Sequence, residues 1–225
     1  MSAASDPSAR LVAAAAALGI ELGVRQQEQL LAYLELIAKW NKVYNLTAVR
    51  DPDEMLVQHL FDSLAAVPAL RRQTGGRAVR LLDVGSGAGL PGVVIAVCCP
   101  EIHVDCVDTV GKKAAFIQQV AVQLRLPNLR GLHDRVEQLA GPYEVVSSRA
   151  FASLADFVTW SEGALAAGGV WLAMKGKRPD AELAALPPAA EAFHVEQLIV
   201  PELSAERCIV WMRRRIEPGS PAAGS

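Results

Sequence analysis

No apolar run in this 225-residue chain reaches the roughly 20 residues that a helix needs to cross a bilayer, so no membrane span is expected. The opening Met1–Arg10 lacks the basic start of a secretory signal and reads as a mobile start. Cysteine is scarce: Cys98, Cys99, Cys106 and Cys208 show no C-x-x-C spacing and lie within apolar segments. Reduced, buried thiols in a cytoplasmic protein are expected. His59, His103, His133 and His194 have no ligand spacing with those cysteines, so no metal site is assigned. Nor is there an excess of positive charge. A net charge of −2 excludes a broadly basic nucleic-acid coat and leaves only a local basic face for such a partner. Aromatics are few, and Trp40, Trp160, Trp171 and Trp211 sit in periodic apolar segments that read as core.

What is present is a 52% hydrophobic composition, enough for one sizeable core with an appendage. The run from Leu81 to Ala96 reads as a short strand, a glycine-rich turn and a helix opened by Pro91. Gly85, Gly87 and Gly89 permit positive φ and close approach of a ligand to bare backbone. The free amides of such a turn point to where open α/β sheets bind nucleotides. The spacing Gly87-x-Gly89-x-x-Gly92 alone fits a nicotinamide dinucleotide as well as another adenosine-containing cofactor. Asp83 shifts the balance, because a carboxylate at the strand end suits the sulfonium and amine of S-adenosylmethionine better than a pyrophosphate. Capping the loop amides would use the same carboxylate.

Helices are expected over Leu11–Leu18 and Gln26–Lys42, and again from Asp51-Pro52 toward Leu70. Arg71–Arg80, with Gly75-Gly76, reads as a linker. The chain thus divides into an N-terminal helical cap (1–75), a sheet domain (76–215) and a disordered tail (216–225). Strands are expected near Arg80–Val84, His103–Val107, Leu129–His133, Glu144–Ser147 and Val170–Met174, with helices near Pro91–Cys98, Lys112–Arg125 and Leu154–Ala166. His194–Val200 and Arg207–Arg213 follow without an intervening helix and read as an antiparallel hairpin. The fold class is therefore α/β and Rossmann-like, a seven-stranded and mostly parallel sheet closed by that hairpin. This is the architecture of class I S-adenosylmethionine-dependent methyltransferases.

Asp108, at the end of the second strand, is placed to accept hydrogen bonds from two ribose hydroxyls, and equally to cap the next helix. Val136 and Glu137 follow the third strand, where they border an adenine or form a charged surface loop. Arg149 closes the fourth strand, where a guanidinium can clamp a phosphate, stack on a base or join an ion pair. Lys175, Lys177 and Arg178 leave the fifth strand on the same edge and suit phosphate contact or a solvated turn. Arg213-Arg214-Arg215 reads as a solubilising terminus.

Taken together, Asn45-Leu46-Thr47-Ala48, His59-x-x-Asp62-Ser63-Leu64, the Asp83–Gly92 loop, Asp108 with Lys112-Lys113, Arg135-Val136-Glu137, Ser148-Arg149-Ala150 and Lys175-Gly176 resemble the RsmG (GidB) family. That family methylates N7 of guanine 527 in 16S ribosomal RNA. The resemblance implies S-adenosylmethionine as cofactor, with Gly85 and Leu90 beside it, Val136 and Glu137 at its adenine, and Arg149 beside its methionine part or the acceptor. It implies 16S rRNA or a small-subunit particle as partner, and the lack of a surplus apolar stripe favours a monomer. Guanine N7 offers an in-plane lone pair, so no general acid or base is assigned; Arg149 and Lys175 are positioning candidates. The absence of an Asn-Pro-Pro-Tyr-like segment after the fourth strand agrees with such an acceptor. A small-molecule methyltransferase would instead need a closed apolar acceptor pocket without a basic rim. A nicotinamide oxidoreductase would need a second substrate-binding half.

Overall fold

Successive residues of a strand face opposite sides of its sheet, and after residue 80 this chain is apolar on both sides. In the computed structural model, which describes residues 6–149 and 151–215, the strands are β1 Arg80–Val84, β2 His103–Asp108, β3 Leu129–His133, β4 Tyr143–Ser148, β5 Leu165–Lys175, β6 Ala190–Leu198 and β7 Arg207–Arg214. They form one seven-stranded sheet in the order β3-β2-β1-β4-β5-β7-β6. β1 to β5 are parallel, and β7 runs antiparallel between β5 and β6. The expected mixed sheet with its C-terminal hairpin is what forms.

The helices are α1 Pro7–Ala17, α2 Val24–Tyr44, α3 Pro52–Met55, α4 Asp62–Leu64, α5 Val67–Thr74, α6 Gly92–Cys98, α7 Gly111–Gln123, α8 Leu154–Ser161 and α9 Asp180–Ala184. Leu81, Val145, Leu172 and Ile209 face one side and join Val93 and Phe116 in a cluster that also takes in Leu11, Leu30, Tyr33, Ile37 and Phe61 of the N-terminal helices. Their neighbours Leu82, Val146, Ala173 and Val210 face the other side and pack on Leu154 and Phe157 of α8. One side of the sheet is thus covered by two layers of helix, α6 and α7 and then α1 and α2.

The structure departs from the sequence expectation at several ends. The first helix opens at Pro7, where the Asp6 carboxylate accepts from the Ser8 amide, so Pro7–Arg10 are helical rather than a mobile start; residues 1–5 lie outside the described residues, as does the 216–225 tail. The helix expected from Asp51 to Leu70 is broken into α3, a π-helical turn at Leu56–Phe61, α4 and α5. The expected linker shrinks, because Arg71 belongs to α5 and donates to the Cys98 carbonyl at 2.8 Å. Pro91 is the N-cap residue of α6 rather than its first turn. α8 ends at Ser161, and a short 3-10 turn leads directly into β5, which begins at Leu165. β6 starts at Ala190, earlier than expected, and α9 has no counterpart in the sequence expectation.

Candidate active site

In an open α/β sheet, ligands bind at the carboxyl ends of the strands where the strand order reverses, here between β1 and β4. The glycine loop that follows β1 holds Gly85, Gly87 and Gly89 at φ +64°, +60° and +93°. Its shape is fixed from inside. The amides of Gly85 and Ser86 donate to the Val107 carbonyl at 2.9 and 3.3 Å, and those of Gly89 and Leu90 to the Ser86 carbonyl at 2.8 and 3.0 Å. The Gly87 amide donates to Asp108 Oδ2 at 3.0 Å. These amides, expected to be free for a ligand, are therefore committed to the end of β2 and to the loop itself.

Asp83 takes a supporting position. It is fully buried; Oδ2 accepts from the Gly92 amide at 3.0 Å and Oδ1 from the Ser147 hydroxyl at 3.0 Å. Burial pushes its pKa up to about 7, against the hydrogen bonds from Gly92 and Ser147. Gly92 is required here by contact rather than by φ, since an added Cβ would collide with Cys106 Sγ and come within 3.0 Å of Asp83 Oδ2.

Two cavities open on this edge. The first, of about 490 Å³, is lined by Gly85, by Asp108, Thr109 and Lys113 after β2, by Val136 and Glu137 after β3, and by Phe151 and Trp160. Of the residues expected at a cofactor, Gly85, Asp108, Val136 and Glu137 meet here. Gly87, Gly89 and Leu90 do not line it: Gly87 donates to Asp108, and Gly89 and Leu90 are buried. Asp108 also accepts from the Val110 amide at 2.9 Å and lies 3.5 Å from the Lys113 ammonium. Trp160, expected in the core, is 46% exposed and stands edge-on to Phe151, with ring centroids 5.4 Å apart.

The second cavity, of about 430 Å³, is lined by Val49, Gln58, His59, Asp62, Arg149, Met174, Lys175, Gly176 and Arg207. Arg149 donates to the Gln58 carbonyl at 2.9 Å and to Asp62 Oδ2 at 3.1 Å, and Arg207 donates to Asp62 Oδ1 at 2.8 Å. His59 lies 3.0 Å from the Thr47 hydroxyl through Nε2, while its buried Nδ1 has no partner among the described residues. Burial and the nearby Arg149 lower the His59 pKa to about 4, so the ring is neutral at pH 7. Lys175 is turned to Glu182, 2.8 Å away. Lys177 is exposed, and Arg178 pairs with Asp180 at 2.7 Å beside a separate groove of α9 and β6; neither lines this cavity.

The Rossmann-like sheet agrees with what comparison of the whole chain finds. Residues 26–210 match the family model described as rRNA small subunit methyltransferase G. The chain belongs to the rRNA small subunit methyltransferase G family. Ribosomal RNA small subunit methyltransferase G of Paracidovorax citrulli is 62% identical, with 100% of this chain and 98% of that protein covered. The protein of the same name from a Polaromonas species is 66% identical over 92% of each. Among solved structures, TrmN of Thermus thermophilus superposes with a TM-score of 0.55 at 18% identity, over 71% of this chain and 53% of that one. A SAM-dependent methyltransferase of Aquifex aeolicus gives 0.52 at 14% identity, over 75% and 96%. These two similarities speak to the fold.

As a methyltransferase G of this fold, the protein uses S-adenosylmethionine as its cofactor. The residues of the first cavity are of kinds that fit it: the volume lies in the range of small-molecule sites, the Asp108 carboxylate would serve ribose hydroxyls, and Val136, Phe151 and Trp160 would give a purine apolar surface. Among the described residues, no three His, Cys, Asp or Glu side chains are grouped to hold a metal ion, and no helix is long and apolar enough to cross a membrane. Sequence reading assigned no role to Arg207. Its signal was available, because β7 runs antiparallel and the start of that strand shares an edge with the ends of β1 to β5; Cys208 pairs with Lys175.

Proposed function

We propose that this protein transfers the methyl group of S-adenosylmethionine to N7 of guanine 527 in 16S rRNA, with the guanine entering the second cavity. The observation that carries this reading is the makeup of that cavity. Arg149, Lys175 and Arg207 line it with one carboxylate, Asp62, which suits a phosphate-linked nucleotide and not a neutral apolar metabolite. The closed apolar pocket of a small-molecule methyltransferase is not what these residues build.

Bound S-adenosylmethionine supplies an electrophilic sulfonium methyl. The chain has to hold a base in line with it and exclude water, which is catalysis by positioning. N7 carries a lone pair and no proton, so a neutral His59 has nothing to abstract. Arg149 lines the second cavity and Phe151 the first, and the Lys175 ammonium reaches the Phe151 carbonyl at 3.3 Å. On this reading donor and acceptor meet on either side of Arg149 and Phe151. A guanine presented from a loop or flipped from a stack fits such an edge.

We read residues 1–75 as a helical cap on a methyltransferase domain of residues 76–215, acting as a monomer in the cytoplasm on rRNA or a small-subunit particle. Incubation with labelled cofactor and small subunits that lack the modification, followed by mapping of the methylated base, tests the reading. Label at N7 of guanine 527 is expected; label on another nucleotide, or only on small metabolites, overturns it.

A further inference from the structure

We propose that Tyr33, on the N-terminal helix α2, is a positioning residue for the cofactor, acting through its hydrogen bond to the Ala88 carbonyl of the glycine loop. The proposal rests on the reading of the first cavity as the S-adenosylmethionine site. Three polar side chains of α2, Gln26, Gln29 and Tyr33, fall at spacings of three and four, which places them on one helix face. Each donates to a backbone carbonyl of the sheet half of the molecule: Gln26 to Val97 at 2.8 Å, Gln29 to Leu124 at 2.7 Å and Tyr33 to Ala88 at 2.6 Å.

The first two partners lie at the ends of α6 and α7, where helix carbonyls lack an intrahelical donor, and these bonds join one helix layer to the next. The third is different. Ala88 lies in the loop, and the peptide that carries its carbonyl also carries the Gly89 amide, which donates to the Ser86 carbonyl at 2.8 Å. The Ala88–Gly89 peptide plane is therefore held at both of its polar ends, one from within the loop and one from α2.

A loop with three positive-φ glycines has many backbone conformations of similar energy, and affinity falls when a binding loop must be ordered by its ligand. Tyr33 removes that freedom from outside. It is fully buried and stacks on Phe116 with centroids 6.4 Å apart, so its hydroxyl has a fixed location. Burial raises its pKa well above the usual phenol value, which keeps the proton on the oxygen as a donor. The loop also passes close by: a Cβ added at Gly89 would come within 3.5 Å of the Tyr33 hydroxyl. The N-terminal helix is thus part of the cofactor site, although its side chains do not line the first cavity.

Calorimetric titration of the full chain with S-adenosylmethionine tests this, using wild type, Tyr33→Phe and Gln29→Ala, with thermal unfolding recorded for each. Tyr33→Phe keeps the ring and removes one hydrogen bond. Its Kd and its KM for the cofactor are expected to rise about tenfold, the scale of one such bond, with kcat at saturating cofactor changed less than about twofold. Gln29→Ala is expected to lower the unfolding temperature while leaving Kd unchanged. A Tyr33→Phe Kd equal to that of wild type overturns the proposal, and so does an equal rise in Gln29→Ala, which would tie affinity to stability alone. Should Tyr33→Phe fail to fold, amide exchange in the wild type decides: a Gly89 amide as slow as the core supports the tether, and a fast one overturns it. A wild type that binds no S-adenosylmethionine removes the cofactor reading itself, a result distinct from equal binding by wild type and variant.

Discussion

Arg149, at the end of β4, reaches back 87 residues to Asp62 in α4, with Nη1 3.1 Å from Oδ2. The other oxygen of the same carboxylate holds Arg207, so one buried acid fixes two cations from two strands over the second cavity. Replacing Asp62 by Ala leaves both guanidiniums without their counter-charge. Breaking a fully buried pair costs about 3–5 kcal/mol. Here the two arginine side chains are 23% and 26% exposed, and solvent screening reduces the expected loss to about 1–3 kcal/mol. Asp62 does not line the first cavity, so cofactor Kd should stay within about twofold while methyl transfer falls by at least about tenfold. Denaturant unfolding, calorimetry and single-turnover methylation measure the three quantities.

Asp83 predicts a pH dependence. Its folded pKa of about 7 stands above the ordinary 3.8 because burial disfavours the charged form. Between those values the folded state keeps a proton that the unfolded state has lost. The contribution to stability is therefore complete below about pH 4 and declines as pH rises toward 7, by at most about 1.4 kcal/mol per pH unit. His59, with its pKa lowered to about 4, acts in the opposite sense over pH 4 to 6.5. The test is thus the difference between wild type and Asp83→Asn. The substituted amide has no charge to bury, so the variant should gain stability relative to wild type from pH 5 to 8. A difference that is flat across that range removes the assignment.

Two glycines of the same motif are expected to fail in different ways. Nothing lies within 4 Å of a Cβ added at Gly85, which borders the first cavity. Gly85→Trp should fold, with a backbone cost of about 1–2 kcal/mol for its positive φ, and should lose cofactor binding. At Gly92 an added Cβ meets Cys106 and Asp83. Gly92→Ala should lower stability by about 1–3 kcal/mol through overpacking, and Cys106→Ala in the same chain should restore part of it. Thermal unfolding and cofactor titration on the three proteins separate the two effects.

The alternation of apolar segments made the sheet legible in the sequence, because β1 to β5 each carry a side chain for either face, as Leu81 and Leu82 do. Helix boundaries were less so. The π-helical turn at Leu56–Phe61 was not expected, yet Gln58 and His59 within it and Asp62 after it line one cavity, and such turns are frequent at functional sites. Asp83 and Leu90 were recognisable as parts of a cofactor motif, but not as residues beneath the loop rather than on its surface. That distinction depends on Gly92 and Ser147 supplying the bonds that turn the carboxylate inward. Arg207 was legible only through strand direction: the expected antiparallel hairpin puts the start of β7 on the edge where β5 ends, beside Lys175.

Trp160 tests the first cavity without touching the loop. It is 46% exposed on the cavity's rim, whereas Trp171 and Trp211 are 1% and 2% exposed and, like Trp40, do not line it. Cofactor binding should therefore change tryptophan emission through Trp160, and Trp160→Phe should abolish most of that change while keeping an aromatic ring against Phe151. Trp160→Ala removes the stacking surface. An aromatic contact contributes about 0.5–1.5 kcal/mol beyond area burial, so cofactor Kd should rise roughly three- to tenfold, with little change in unfolding temperature because half of the ring already faces water. The same emission change in Trp160→Phe as in wild type would place the purine elsewhere. Loss of emission change with unaltered Kd in Trp160→Ala would make the ring a bystander at the rim.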